Sequence, residues 1–302
     1  MISHLARYGY LGAANRPTLR FPDGQRIAVW IVVNHEVYEL APPIGPVRQP
    51  WPRVHPDILA YSHRDYGNRI GIWRLMEALD RCGIRGSLNV NVAAFDHFPE
   101  IAEACVSRGW EVFSHGVYNS RFLYGLSESQ ERAVIEDCIE TISRHLGRPP
   151  RGWMGPMGTM TPRTLDLLSE YGFLYTVELF HEDVPFPVKV KTGRLVSVPY
   201  TQELNDISVI GGAGHTPAVY ARMIQDQFDR LYLEGEASAT VMCIALHPFL
   251  MGQPHRIRHL EKALAYVVGH DDVWLTTGEE IARWYLESYY DTVVRALQGE
   301  ES

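Results

Sequence analysis

The sequence predicts an α/β protein whose parallel sheet is closed into a barrel or doubly wound, and three observations carry that reading. Short apolar runs alternate with amphipathic helical segments along the chain. No linker, internal repeat, low-complexity stretch or shift of composition interrupts the alternation, so residues 1–302 read as one domain, a length at which a single βα barrel is common. Four strings each close a predicted strand: Val33-Asn34-His35-Glu36, Ser114-His115-Gly116, Arg151-Gly152-Trp153-Met154-Gly155-Pro156 and Ala245-Leu246-His247-Pro248. In a βα barrel the carboxyl ends of the strands share one face, where active sites form, and a carboxylate and two histidines reach that face here.

The elements follow in order. Ile27 to Val33 is a nearly continuous apolar run after Asp23-Gly24, as expected of a first strand covered on both faces. A helix is predicted over Asn68 to Arg81, with Ile72, Met76, Leu79 and Cys82 on one face and Gly83 as its stop. Ser87 to Val92 is the next strand; a helix begins near Pro99, and Trp110 to Ser114 is the third strand. Ser127 with Gln130 forms a capping box for a helix that buries Ile135, Cys138, Ile139, Ile142 and Leu146 and ends at Gly147. Thr161-Pro162 is read as an N-cap followed by proline at the first helical position, and Gly172 stops that helix before strands at Phe173 to Val177 and Leu195 to Val198. A helix over Pro217 to Leu233, a strand at Ala239 to Leu246, a helix over Arg258 to Val268 and a strand at Val273 to Thr276 complete the alternation. Thr277 and Glu280 then cap a terminal helix, with fraying expected after Leu297. Gly211-Gly212-Ala213-Gly214 lacks the Gly-Lys-Ser/Thr ending of a phosphate loop and is read as a flexible loop.

Composition narrows the function classes. A hydrophobic fraction of 46% and a charged fraction of 21% describe an ordinary globular protein, and a net charge of −8 argues against a nucleic-acid groove. The start Met1 to Tyr8 has no apolar stretch of signal-peptide length, and no later run reaches membrane-spanning length, so a cytoplasmic protein is expected. Cys82, Cys105, Cys138 and Cys243 are far apart and form no Cys-x-x-Cys pair; they are read as reduced core residues.

The order of these motifs resembles the polysaccharide deacetylase superfamily over nearly the whole chain, and most closely its branch of metal-independent allantoinases and cyclic imide hydrolases. Val33-Asn34-His35-Glu36, Asp65-Tyr66-Gly67-Asn68-Arg69-Ile70-Gly71-Ile72-Trp73-Arg74, Phe173-Leu174-Tyr175, Val198-Pro199-Tyr200-Thr201 and Leu246-His247-Pro248 carry the resemblance. It implies an irregular (β/α) barrel of about seven strands. Metal-dependent relatives place two adjacent carboxylates in the first motif, where this chain has Glu36 and Val37, and two histidines four residues apart in the second, where it has His115 and Asn119. Valine cannot ligate, and a neutral amide oxygen suits harder ions than zinc, so neither a catalytic metal nor another cofactor is expected.

Without a Lewis acid an unactivated N-acetyl amide is a hard substrate. A cyclic imide or ureide is easier, because its nitrogen leaves with charge delocalised into a second carbonyl. Glu36 is therefore assigned as the base that activates water, His247 as the acid toward nitrogen, and His115 as the group that orients water or the carbonyl oxygen. Arg151 resembles the superfamily arginine that orients the catalytic carboxylate. Tyr200 is assigned to substrate binding because its motif matches the branch. Asn119 is assigned to substrate contact, against loop capping as the bland alternative; Trp153, Met154, Met157 and Phe249 are assigned to an apolar pocket wall, against core packing. Taken singly, Glu36 reads as a loop carboxylate and either histidine as a structural residue bonded to backbone carbonyls. His35 alternates to the other strand face and is read as structural. Competing readings are a metal-dependent deacetylase of an N-acetylated sugar using Glu36, His115 and Asn119, and a silent carbohydrate-binding barrel. A homo-oligomer is expected from the resemblance and from the aromatic terminal helix at Trp284-Tyr285 and Tyr289-Tyr290.

Overall fold

The computed structural model describes residues 7–42 and 56–299, so most of the amino-terminal stretch considered above lies outside the described residues. In chain order the strands are β1 (Ile27–His35), β2 (Ser87–Val90), β3 (Glu111–Ser114), β4 (Gly152–Trp153), β5 (Tyr175–Thr176), β6 (Phe186–Val188), β7 (Leu195–Ser197), β8 (Thr240–Leu246) and β9 (Val273–Leu275). The helices are α1 (Ile58–Tyr66), α2 (Ile72–Arg81), α3 (Ala93–His97), α4 (Pro99–Ser107), α5 (Glu128–Leu146), α6 (Thr164–Glu170), α7 (Pro217–Glu234), α8 (Pro248–Met251), α9 (Pro254–Val268), α10 (Gly278–Ser288) and α11 (Tyr290–Gln298). None of them is long and apolar enough to cross a membrane.

The strands form one sheet in the order β6-β7-β5-β4-β3-β2-β1-β8, with β9 beside the start of β1 and all pairs parallel except β6 with β7. β8 meets the segment before β6 through Val241 N–H to Asp183 O at 3.0 Å, and the turn after β7 through Ala245 N–H to Leu204 O at 3.1 Å. These bonds join the two edges and give a (β/α) barrel, as expected. Among the described residues it has nine strands, where about seven were expected.

Strand alternation sorts the apolar residues into two cores. Ala28, Trp30 and Val32 turn inward to Phe113, Tyr175, Val196, Val241 and Cys243. Ile27, Val29, Ile31 and Val33 turn outward beneath α2, α7 and α9, where they pack with Leu75, Leu79, Phe228 and Leu264. Inside the barrel, at its amino-terminal end, Ser87 Oγ, Tyr175 OH and the Glu279 N–H all donate to Glu111. Polar groups inside that end of the barrel therefore satisfy one another.

Local signals are followed closely in places. Ser127 and Gln130 form the capping box of α5, and Gly147 ends it in the left-handed conformation. The four cysteines are free, and three of them are buried. The differences are instructive. The helix expected from Asn68 is instead α1, a π-helical turn over Gly67–Gly71, and α2, because the glycines serve a tertiary contact that periodicity does not encode. A Cβ on Gly71 would lie 2.0 Å from the Pro248 carbonyl oxygen, and one on Gly67 would lie 2.7 Å from the Phe249 nitrogen. α6 starts at Thr164 rather than after Thr161, because Thr161 and Thr164 turn their hydroxyls onto the buried Glu131. β6 was not expected: its Pro187 is tolerated on an edge strand. Gly211 and Gly212 finish a second π-helical turn, Ile207–Gly212, rather than a flexible loop.

Gly71→Ala should destabilise the protein by roughly 1–3 kcal/mol, the usual cost of overpacking, and should reduce turnover because the displaced carbonyl belongs to the residue after His247. Denaturant unfolding with an activity assay measures both. Wild-type stability and turnover would show that the close contact is not needed.

Candidate active site

At the carboxyl ends of the strands a cavity of about 490 Å³ is lined by Asn34, Glu36, Tyr38, Arg64, His115, Met154, Met157, Phe180, Tyr200, Gln202, Asn205 and His247, among others. Its size suits a small organic molecule. Glu36 is there because positions 30, 32, 34 and 36 share the inward face of β1 and its extension. His115 follows β3, where its N–H still bonds Val90 O at 2.8 Å, and the chain then turns at Gly116. Gly116 has φ 71°, and a Cβ there would meet Pro156 Cγ at 2.5 Å, so only glycine fits. Asn91 ties the two strand ends together: its Oδ1 accepts from Val37 N–H at 3.0 Å and its Nδ2 donates to His115 O.

Glu36 Oε1 lies 3.6 Å from His115 Nε2 and 3.5 Å from His247 Nε2, ion-pair distances longer than a good hydrogen bond. The three side chains are 7%, 3% and 5% exposed, so the charges of Glu36 and His247 interact with little screening. The other oxygen, Glu36 Oε2, accepts from Tyr38 OH at 2.7 Å, and Tyr38 in turn accepts from Asn119 Nδ2 at 2.7 Å. Burial opposes ionisation of Glu36, but the charge of His247 and the hydrogen-bonding side chains of both histidines outweigh it and hold the carboxyl far below its ordinary range.

His247 is held from behind. Asp206 Oδ1 lies 2.7 Å from its Nδ1, and Asp206 Oδ2 accepts from its main-chain N–H at 2.8 Å. Burial alone would discharge the imidazole, yet Asp206 and then Glu36 raise it to about 10, so it is an imidazolium at neutral pH. Asp206 itself is raised by burial, against the pull of His247. His115 Nδ1 faces Met154 O at 3.1 Å and carries the proton of that bond, which leaves Nε2 as the atom that faces Glu36.

The other predicted residues divide. Tyr200 lines the cavity. Asn119 is fully buried and does not line it: its Oδ1 accepts from Met157 N–H at 2.9 Å while its Nδ2 serves Tyr38, so the amide organises the site from behind and is not placed to touch substrate. Met157, which does line the cavity, is thereby held at φ 54°, a strained conformation for a side chain of its size. Trp153 is a core residue, fully buried with its ring edge-on to Phe173 at 5.7 Å, because it takes the outward face of β4. Phe249 packs behind His247 and beneath Arg64, with ring centroids 5.8 Å from the imidazole, and does not form the cavity wall. Arg151 is corrected most. It precedes β4 and donates to Gly172 O at 2.9 Å, at the end of the strand away from Glu36.

The sequence reading missed Asp206, Tyr38, Arg64 and Asn91. Tyr38 stands two positions after Glu36, a spacing that alternation could have flagged. Arg64, whose guanidinium lies 4.9 Å from the Tyr38 ring centroid, sits on a helix that periodicity did not find. Asp206 stands at the N-cap of the π-helical turn Ile207–Gly212, a segment that the sequence reading takes in part as a flexible loop.

The donor set does not fit the metal of metal-dependent deacetylases. Val37 is buried and apolar, Asn119 has spent its amide oxygen on Met157 N–H, and a protonated His247 is no ligand. Among the described residues no three His, Cys, Asp or Glu side chains are arranged to hold a metal ion.

Comparison with known proteins agrees with the fold. The polysaccharide deacetylase family model matches residues 57–176. The crystal structure of Puue allantoinase is similar at 26% identity with a TM-score of 0.82, over 93% of this chain and 97% of that one. A probable polysaccharide deacetylase from Pseudomonas aeruginosa PAO1 is similar at 28% identity with a TM-score of 0.81, over 91% and 95%. The peptidoglycan deacetylase of Helicobacter pylori is 24% identical over 254 residues, 74% of this chain and 86% of the relative. Residues 57–176 thus resemble the polysaccharide deacetylase family, and the fold as a whole is similar to that of a probable polysaccharide deacetylase and of an allantoinase.

Proposed function

We propose that the protein opens a cyclic imide, a ureide or a related cyclic amide by attack of water on a ring carbonyl, without a metal. The observation that carries the reading is the opposed pair of Glu36 carboxylate and His247 imidazolium, 3.5 Å apart in a buried cavity whose donor set does not fit a metal. The likeness to an allantoinase of similar length, at 26% identity, supports it.

The steps follow from the geometry. A water held between Glu36 Oε1 and His115 Nε2 gives its proton to Glu36 as its oxygen bonds to the carbonyl carbon. When the tetrahedral intermediate collapses, the ring C–N bond breaks and His247 Nε2 gives its proton to the departing nitrogen. The two transfers assist each other: as His247 loses its charge, the chief influence that makes Glu36 a weak base disappears. Glu36 then returns its proton across the 3.5 Å gap to His247. Tyr38 keeps the carboxylate aimed at the histidines, and Asp206 keeps the imidazole charged and oriented.

The names of the Pseudomonas aeruginosa and Helicobacter pylori relatives favour a second reading, deacetylation of an N-acetylated sugar. Chelator-treated protein assayed on cyclic imides, hydantoins and allantoin beside N-acetylated sugars, with bound metal quantified, separates the two. Ring opening that survives chelation is expected. Sugar deacetylation that vanishes with chelation and returns with added metal would overturn the proposal.

Glu36→Gln should lower kcat by about 100- to 10,000-fold, the usual worth of a general base, with circular dichroism and Tm retained; turnover near that of the wild type would remove Glu36 from the mechanism. Because His247 must be protonated, kcat/KM should fall as the pH rises through about 10. Asp206→Asn removes one of the two charges that raise His247, so the alkaline limb of its pH profile should move down toward the ordinary histidine range, about 6.5. An unmoved limb would show that His247 is not the acid.

A further inference from the structure

We infer that the Tyr200 hydroxyl is a catalytic residue, the donor that meets the substrate's carbonyl oxygen as negative charge develops there. The assignment rests on reading the cavity as a site of metal-free amide hydrolysis, in which some group must do what a Lewis acid does elsewhere. Neither histidine is available for it. His115 turns its Nδ1–H to Met154 O and its Nε2 to Glu36 Oε1, and the one cavity-facing proton of His247 is committed to nitrogen.

The argument is one of hydrogen-bond accounting. A phenol oxygen accepts two hydrogen bonds and donates one. At Tyr200 both acceptor positions are filled, by Asn34 Nδ2 at 2.9 Å and Asn205 Nδ2 at 3.2 Å. Each amide is oriented by a backbone group that can play only one part. The Leu246 carbonyl, 3.4 Å from Asn34 Nδ2, can only accept; the Ile207 N–H, 3.2 Å from Asn205 Oδ1, can only donate. Asn89 Nδ2 completes the network by donating to Asn34 Oδ1 at 2.8 Å. The phenol proton is therefore left over, and no group among the described residues accepts it. Tyr38 offers the contrast, since its proton is spent on Glu36 Oε2.

Position and rigidity agree. Tyr200 is 4% exposed, lines the cavity together with Glu36 and His247, and packs against Phe180 with ring centroids 5.9 Å apart. Burial, reinforced by Cys243, pushes the phenol well above its ordinary range, so it stays a donor instead of becoming a phenolate. A fixed donor in a site shielded from water is the arrangement that stabilises an oxyanion. In the reaction, water oxygen bonds to the carbonyl carbon and the π pair moves to the carbonyl oxygen. Tyr200 hydrogen-bonds that oxyanion without giving up its proton. The pair returns as the C–N bond breaks and nitrogen takes the proton of His247.

The test uses the full-length protein and whichever amide panel the wild type hydrolyses, cyclic imides and ureides or N-acetylated sugars, because an oxyanion donor serves either. Tyr200→Phe should lower kcat by about 100- to 1000-fold, with a much smaller change in KM. Since that change also strands two amide donors, 3-fluorotyrosine placed at position 200 provides the control. It keeps the hydroxyl and its acceptors while making it more acidic, and kcat should rise relative to tyrosine. A near wild-type kcat in Tyr200→Phe, or indifference to fluorination, overturns the assignment and leaves the proposed function standing if the wild type still opens cyclic amides. A wild type that hydrolyses neither panel overturns both.

Discussion

The site depends on one line of buried charge, Asp206–His247–Glu36. Taking a carboxylate out of water is tolerated only when it is paired and its remaining lone pairs are satisfied, and stripping one partner from such a pair costs about 3–5 kcal/mol. Each member here is satisfied on both sides. Asp206 receives the main-chain N–H of His247 as well as its ring, His247 lies between two carboxylates, and Glu36 receives Tyr38 on the oxygen that does not face the histidines. The same contacts that make the charges bearable set the protonation states. A carboxylate and an imidazolium face each other across a small cavity, and a base and an acid are thereby poised at one pH.

Much of the surrounding structure serves to keep that line straight. Buried amides and carboxyls act as ties between strand ends: Asn91 joins the turn after β1 to His115, Asn119 joins Tyr38 to the strained Met157, and Glu178 accepts from Gly155 N–H at 2.9 Å. Glu178 is pushed up to about 8 by burial, so at neutral pH it holds that loop as a largely neutral acid, and the loop supplies the Met154 carbonyl that orients His115. Behind His247, the π-helical turn at Gly67–Gly71 sits against Pro248 and Phe249 so closely that no side chain fits between them. π-helical turns are frequent at functional sites, and here the turn forms the back wall behind His247.

The two ends of the barrel differ for the same reason. At the amino-terminal end Glu111 gathers donors from β2, β5 and α10 and is itself raised to about 7, so polar groups there satisfy one another. At the carboxyl end the polar groups are satisfied from behind and keep their reactive atoms turned toward space. Val37 and Asn119 belong to that backing layer. Val37 lends its N–H to Asn91, and Asn119 ties two loops.

By itself the sequence determined the alternation of strands and helices, the capping box at Ser127 and Gln130, the reduced cysteines, and the convergence of Glu36, His115 and His247, because these follow from local periodicity and from the rule that strand carboxyl ends share a face. Tertiary structure decided what periodicity cannot carry. Asp206 is invisible in sequence because its importance comes from a contact 41 residues away with His247. Motif position places Arg151 and Trp153 toward the cavity, but a strand two residues long leaves their direction to packing, and they turn to a carbonyl and an aromatic neighbour instead; Asn119, in the loop after β3, is claimed by Tyr38 and Met157. The glycines at 67 and 71, which interrupt a helical pattern, acquire their meaning only when Pro248 arrives against them. Chain-local preferences chose the elements; the close approach of distant backbones chose which of their side chains face the cavity.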